Sequence, residues 1–330
     1  MPELPSRSDD AAGPAARVAV EAPARLHFGF LDLHGGLGRR FGSIGLAIDA
    51  PTLHLTAEPA ADAEAEGPEA RRVLGYIRAA AGHLGVAPAM RVRVAQAIPP
   101  HAGFGSGTQL ALAVAAALAR LNGRPFSPED FSNALDRGNR SGVGLRAFTE
   151  GGLIVDGGRD ATGAPPPVIA RIPYPEAWRI VLILDDGLVG VHGAREVEAF
   201  RDLPRFPEGQ AAEICRIVLM QVMPAAVIAE PEAFGAGITA IQRLVGDHFA
   251  PHQGGRYASP AVAEALARVA ALGIAGYGQS SWGPTGFALL PGEAEARTLV
   301  ADLEARSRGE GRLRFIVASG RNAGATIATD

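Results

Sequence analysis

Apolar and polar positions repeat with two different periods along this chain, and the changes of period mark its elements. A period of two predicts strands over Arg17–Phe30, with Val18, Val20, Leu26 and Phe28 facing a core, over Pro51–Thr56 and over Met90–Ile98. Short, nearly continuous apolar runs predict buried strands over Gly152–Val155, Trp178–Leu184, Gly286–Leu290 and Arg312–Ala318. Helical spacing predicts helices over Arg71–Leu84, from Thr108 to Leu121, and over Glu208–Ile228, Glu232–Val245, Pro260–Leu272 and Glu293–Ser307. A further helix runs from Ser127 to about Asp136, because Ser-Pro-Glu-Asp supplies a cap, a proline at the first position and acids in the first turn.

The pattern divides the chain. Residues 1–16 read as a mobile tail, and Pro165–Pro167 is a linker candidate between domains over 17–170 and 171–330. The second half alternates helices with strands, which predicts an α+β sandwich with helices covering one sheet. At 330 residues the chain is long for one core, in agreement with two domains.

Composition narrows the chemistry. The 31 basic residues are all arginine, so lysine Schiff bases are excluded and phosphates must be held by arginine or backbone. A net charge of −4 offers no general field for nucleic acid or anionic membrane, which makes nucleic-acid and membrane partners unexpected. Cys215 is the one cysteine, sits in an apolar helical run and reads as core. The N-terminal residues carry no apolar leader, and the apolar stretch Leu110–Ala119 is short of the roughly 20 residues that span a bilayer. A cytoplasmic location is expected, and a homodimer is the default assembly.

The segment Pro99–Leu121, PPHAGFGSGTQLALAVAAALARL, carries the clearest chemistry. Gly103, Gly105 and Gly107 let the backbone turn tightly, and the helix behind them adds unpaired N–H groups and a positive dipole end. Such a loop suits an anion, and Gly103, Gly105, Ser106, Gly107 and Thr108 are its candidate ligands. The plain alternative is a glycine-rich turn before a core helix. No G-K-[ST] follows, so it is not a Walker A loop. A second segment, RLHFGFLDLHGGLGRRFGSIGLAID, interleaves Arg25, His27, Asp32, His34, Arg39 and Arg40 with glycines and predicts a functional loop rather than a simple hairpin.

Four strings together resemble the GHMP small-molecule kinase superfamily: ARLHFGFLDLHGGLGRRFGSIGLAID, HAGFGSGTQLALAVAAAL, RSGVGLRAFTEGGLIVDGG and GQSSWGPTGFAL. Their wording is most similar to a non-kinase branch, the β-ribofuranosylaminobenzene 5′-phosphate synthases. The resemblance implies a ribosomal-protein-S5-like N-terminal domain and a ferredoxin-like C-terminal α/β sandwich. It also implies condensation of phosphoribosyl pyrophosphate with 4-aminobenzoate, or 4-hydroxybenzoate, with release of carbon dioxide and pyrophosphate, on the path to tetrahydromethanopterin. Mevalonate-type kinases keep S-G-x-D, whereas this chain has Ser141-Gly142-Val143-Gly144 and no acid.

On that resemblance Asp32, Arg39 and His101 are the catalytic candidates, and Arg25 joins the phosphate loop. Asp32 and Ser106 are candidate ligands of a magnesium ion, the expected cofactor. His27, Arg40, Ser280, Ser281 and Trp282 are candidate substrate contacts. Trp282 either stacks on the aromatic acid or anchors the two domains.

Overall fold

The computed structural model describes residues 13–135, 141–188, 190, 201–307 and 313–330. The N-terminal tail, the expected helix end at Asp136 and the expected strand start at Arg312 lie outside the described residues.

Strands β1 (Val18–Asp32) and β2 (Phe41–Pro59) form a long antiparallel hairpin with bulges at Pro23/Ala24 and His27/Gly29. Strand β3 (Glu64–Glu66), helix α1 (Ala70–Leu84), strand β4 (Met90–Gln96) and helix α2 (Ser106–Leu121) follow. Two short helices, α3 (Pro128–Ala134) and α4 (Val143–Thr149), then lead into strands β5 (Leu153–Asp156) and β6 (Val168–Ile172). Helix α2 packs on β1, β2, α1, α3 and α4. It is apolar all round because every residue from Leu110 to Ala119 is buried, and its run of alanines lets its neighbours approach closely.

The second sheet begins with β7 (Arg179–Asp185), followed by α5 (Glu208–Val227), α6 (Pro231–Gln253) and α7 (Pro260–Ala271). Strands β8 (Gly276–Gln279) and β9 (Gly286–Leu290), helix α8 (Glu293–Arg306) and strand β10 (Leu313–Ala318) complete it. The strand order is β10-β7-β9-β8, all antiparallel, which is the ferredoxin-like arrangement the resemblance implies. The chain then returns, and β11 (Thr326–Thr329) pairs with β1 at the edge of the first sheet.

One core crosses from sheet to sheet. Phe28 of β1 lies 5.1 Å from the Phe287 ring of β9 and 6.3 Å from Phe234 of α6. A smaller core of Val181, Ile183, Val262, Leu266 and Leu299 lies between β7, β9, α7 and α8.

Four expectations change. The early glycine-rich segment is not a long loop: Arg25, His27 and Asp32 belong to β1, and only residues 33–40 make the turn. Six interspersed glycines hid a hairpin whose strands are bulged and buried on both faces. Pro165–Pro167 connects β5 to β6 inside the first sheet, so it is no domain linker, and the boundary at 170 falls within β6. Cys215 is exposed on α5, with its thiol 3.8 Å from the Leu31 carbonyl. Helix α5 is, at 20 residues, long and apolar enough to cross a membrane by length and composition. It instead buries Ala211, Ile214, Ile217, Val218 and Val222 against the body of the protein.

Candidate active site

The glycine loop before α2 turns through left-handed conformations at Gly103 (φ 86°) and Gly105 (φ 74°), and Gly105 is the residue that precedes the helix. No side chain caps α2. Its first-turn N–H groups, at Ser106 and Gly107, therefore have no capping side chain, an arrangement that suits an anion. The helix starts two residues before the expected Thr108.

Two distant segments converge on one carbonyl of that loop. The Arg25 guanidinium donates to the Gly103 oxygen, and the Ser280 hydroxyl donates to the same atom at 2.7 Å. Ser280 Oγ also accepts from the His27 N–H at 3.0 Å, and the Ser281 N–H donates to the His27 carbonyl at 3.3 Å. The Arg25 N–H donates to Phe104 O at 3.0 Å. A Cβ on Gly103 would stand 2.2 Å from Ser280 O, and one on Gly105 would stand 3.0 Å from Arg25 Nε. Arg25, Gly103, Gly105, Ser106, Ser280 and Ser281, all predicted from sequence, thus meet in one place.

His101 lies on the rim of this loop. Its backbone is left-handed (φ 56°), its carbonyl accepts from the Gly190 N–H at 3.1 Å, and its residue surface is exposed. His27 has the opposite environment. Burial, reinforced by the charge of Arg25, lowers its pKa from 6.5 to about 3, so the ring is neutral at physiological pH. Its Nε2 is buried with no hydrogen-bond partner among the described residues. The Trp282 ring is buried at the domain junction, 4.4 Å from Phe249.

Asp32, Arg39 and Arg40 form a second group at the tip of the β1–β2 hairpin. Asp32 is seven residues beyond Arg25, which at a strand's rise is about 20 Å along β1. Its Oδ1 accepts from the N–H groups of His34 (2.7 Å) and Gly35 (2.8 Å), closing the turn. Arg39 does not pair with it. The Arg39 fork donates to the carbonyls of Gly157 and Gly158 and to Asp160 Oδ2, each at 3.0 Å. The Arg40 guanidinium lies 5.3 Å from the Phe41 ring centroid. Asp32 and Ser106 therefore do not share one magnesium site. Among the described residues no group of three or more His, Cys, Asp or Glu side chains could hold a metal ion.

Two residues that sequence reasoning did not single out connect the hairpin tip to the cradle. Buried Asp156 accepts from the N–H groups of Gly142 (2.9 Å) and Gly158 (3.0 Å) and from the Ser141 hydroxyl at 3.3 Å. Buried Gln109 donates from Nε2 to Gly144 O at 2.7 Å. Gly144 itself lies against the cradle helix, since a Cβ there would be 3.3 Å from Thr108 Cγ2. The position that carries an acid in mevalonate-type kinases thus adjoins the cradle but holds no side chain. An acid between glycines after an apolar strand was the visible signal for Asp156; for Gln109 there was none.

The protein matches the family model for the GHMP kinases N-terminal domain over residues 70–151. It is 32% identical to the beta-ribofuranosylphenol 5'-phosphate synthase of Methanothermobacter thermautotrophicus, over 93% of this chain and 98% of that protein. It is 33% identical to the protein of that name from Archaeoglobus fulgidus, over 69% of this chain and 76% of the other. Homoserine kinase from Cytophaga hutchinsonii has a similar fold, with TM-score 0.69 at 16% identity over 99% of this chain and all of that one. Mevalonate pyrophosphate decarboxylase from Streptococcus pyogenes gives 0.67 at 14% identity, over 94% and 98%. These folds share the two-domain α+β architecture.

Asp156 gives a pH signature. Burial raises its pKa from 3.8 to about 6 against the pull of its hydrogen bonds. A carboxyl whose folded pKa is raised contributes stability that is present below the unfolded value and lost as pH rises through the folded one. Asp156→Asn cannot ionise, so its stability relative to wild type should improve by about 1–2 kcal/mol between pH 5 and pH 7.5. Urea unfolding at the two pH values measures this, and a constant difference would remove the assignment.

Proposed function

The chain belongs to the family of the beta-ribofuranosylphenol 5'-phosphate synthases, and from that premise we propose that it joins phosphoribosyl pyrophosphate to a 4-substituted benzoate, releasing carbon dioxide and pyrophosphate. The phenol in the relatives' name makes 4-hydroxybenzoate the first acceptor to test, ahead of 4-aminobenzoate. The enzyme is then a pentosyltransferase that acts with loss of carbon dioxide. One observation carries the choice between this reading and an ATP-dependent kinase. The anion cradle is intact, while Gly144 beside Thr108 offers nothing to take the proton of an alcohol.

In the proposed reaction the bond from the anomeric carbon to pyrophosphate breaks as a ring carbon of the benzoate attacks. Negative charge gathers on the departing oxygens, where preformed donors act most strongly. The N–H groups at the start of α2 and the Ser106 hydroxyl receive the pyrophosphate, and Arg25 keeps the loop in shape through Gly103. Magnesium, when bound, would neutralise the same oxygens, with Ser106 as its one ligand from the cradle and the phosphates as the others. Loss of carbon dioxide returns its bonding electrons to the ring and restores aromaticity.

Asp32 and Arg39 act as positioning residues in this reading. Asp32 fixes the hairpin turn, Arg39 ties that turn to Gly158, and Asp156 passes the constraint to Gly142 beside the cradle helix.

Purified protein with phosphoribosyl pyrophosphate, magnesium and carboxyl-labelled 4-hydroxybenzoate should release labelled carbon dioxide in step with pyrophosphate, and ATP should not replace the sugar diphosphate. Absence of label from both the hydroxy and amino acids would overturn the reading. Asp32→Ala should keep native circular dichroism and lower turnover by about 10²-fold, the cost of a small misplacement of reacting groups; full turnover would free Asp32 of any role. Gly105→Val puts a branched side chain at φ 74° against Arg25 and should weaken phosphoribosyl pyrophosphate binding by at least about 100-fold, or about 3 kcal/mol. Calorimetry that finds wild-type affinity would remove the loop from the site.

A further inference from the structure

Directly behind the cradle, where the two domains meet, lies a partly open void of about 30 Å³. Its walls include the rings of Phe30, Phe249 and Trp282, the backbone near Ser281, and His27. The volume is that of one water, so it admits a hydroxyl or amino group but not a benzene ring. Two polar neighbours, Gln242 and Gln279, have their hydrogen bonds elsewhere. Gln242 donates to Phe28 O and accepts from Gln279 N, and the Gln279 amide donates to Ser281 O at 3.0 Å. His27 also lines the void, and its buried Nε2 has no partner among the described residues. A buried polar atom left in that state is costly unless a ligand or water supplies the missing bond.

Position also matters. His27 is two residues from Arg25 on β1, and its N–H is held by the same Ser280 hydroxyl that holds the cradle carbonyl Gly103. A ring attacking a sugar whose pyrophosphate sits on α2 must stand beside this junction. In the proposed reaction the new bond forms at the ring carbon that carries the carboxylate. The 4-substituent, opposite that carbon, is then the end of the ring farthest from the ribose and deepest in the protein.

We propose that the void beside His27 is the recognition site for the 4-hydroxyl or 4-amino group of the aromatic acid, with His27 Nε2 as its hydrogen-bond partner. This rests on the proposed reaction and adds the specificity-determining contact. A neutral imidazole suits it: a ring nitrogen that accepts from the 4-hydroxyl or 4-amino group lets that group release electron density into the ring as the ring attacks. No net proton transfer is needed, because the departing carbon dioxide leaves its electron pair behind.

The test separates binding from chemistry. Inhibition constants of 4-hydroxybenzoate, 4-fluorobenzoate and unsubstituted benzoate, each with phosphoribosyl pyrophosphate bound, should favour the hydroxy acid by about tenfold or more in wild type. His27→Phe, which keeps a flat ring without nitrogen, should lose that preference while its calorimetric affinity for phosphoribosyl pyrophosphate stays unchanged. His27→Asn, which restores a polar atom, should recover part of it. An equal affinity of wild type for the three acids, or a preference that survives in His27→Phe, would overturn the inference; the wild-type comparison stands even where a variant fails to fold. Should wild type release no carbon dioxide from any aromatic acid, the proposed reaction itself fails, which is a different outcome from synthase activity without this preference.

Discussion

A single backbone carbonyl, that of Gly103, is the constraint on which the rest of the site depends. It accepts from Arg25 on β1 and from Ser280 in the C-terminal half, so both domains are fastened to the glycine loop at one atom. The approach is possible only because side chains are missing. A Cβ on Gly283 would fall 2.3 Å from the Gly103 nitrogen, and one on Gly190 would fall 2.6 Å from the His101 oxygen. The loop is held by backbone packed against backbone, which leaves it little freedom. In the proposed reaction its N–H groups would therefore be set before the pyrophosphate arrives, which lowers the ordering cost of binding.

The same frame explains how a kinase fold can serve without kinase chemistry. Solved structures of this shape include homoserine kinase, and the fold is what they have in common. A phosphoryl acceptor must be deprotonated or oriented by a nearby group. Here the adjoining residue is Gly144, pressed against Thr108, and its carbonyl is occupied by Gln109. The carboxylate that does lie nearby, Asp156, spends its oxygens on backbone N–H groups and holds the α4 entry in place.

Much of this was legible in the sequence because the signals were local. The apolar period gave α1, α2, β4, β7 and β9 nearly to the residue, and the glycine spacing gave the cradle. What was missed depends on distant partners. Strands β3, β6, β8 and β11 are three to five residues long, and each is held by pairing with one neighbouring strand. The partners of Asp32 and Arg39 were hidden for a related reason. Seven residues of glycine-rich chain allow many turns, and the one adopted turns Asp32 onto its own backbone and Arg39 onto the β5–β6 connection. His27 could be seen as a candidate, but its neutrality could not, because that comes from burial under a domain 250 residues away in sequence.

Fastening both domains at Gly103 has a further consequence for the proposed reaction. A ribosyl cation can be captured by water as readily as by a ring carbon, so the outcome depends on which of the two stands beside it. The rings of Phe30, Phe249 and Trp282 narrow the junction to a void of about 30 Å³. Excluding solvent also strengthens each remaining electrostatic contact, including those from the cradle. A charged histidine in that wall would draw water in and repel the developing cation; burial keeps His27 uncharged and so avoids both. In the proposed reaction the contact that closes the domains and the residue that it renders neutral would thus favour carbon–carbon bond formation over hydrolysis for one physical reason: the space left for water beside the ribose is small.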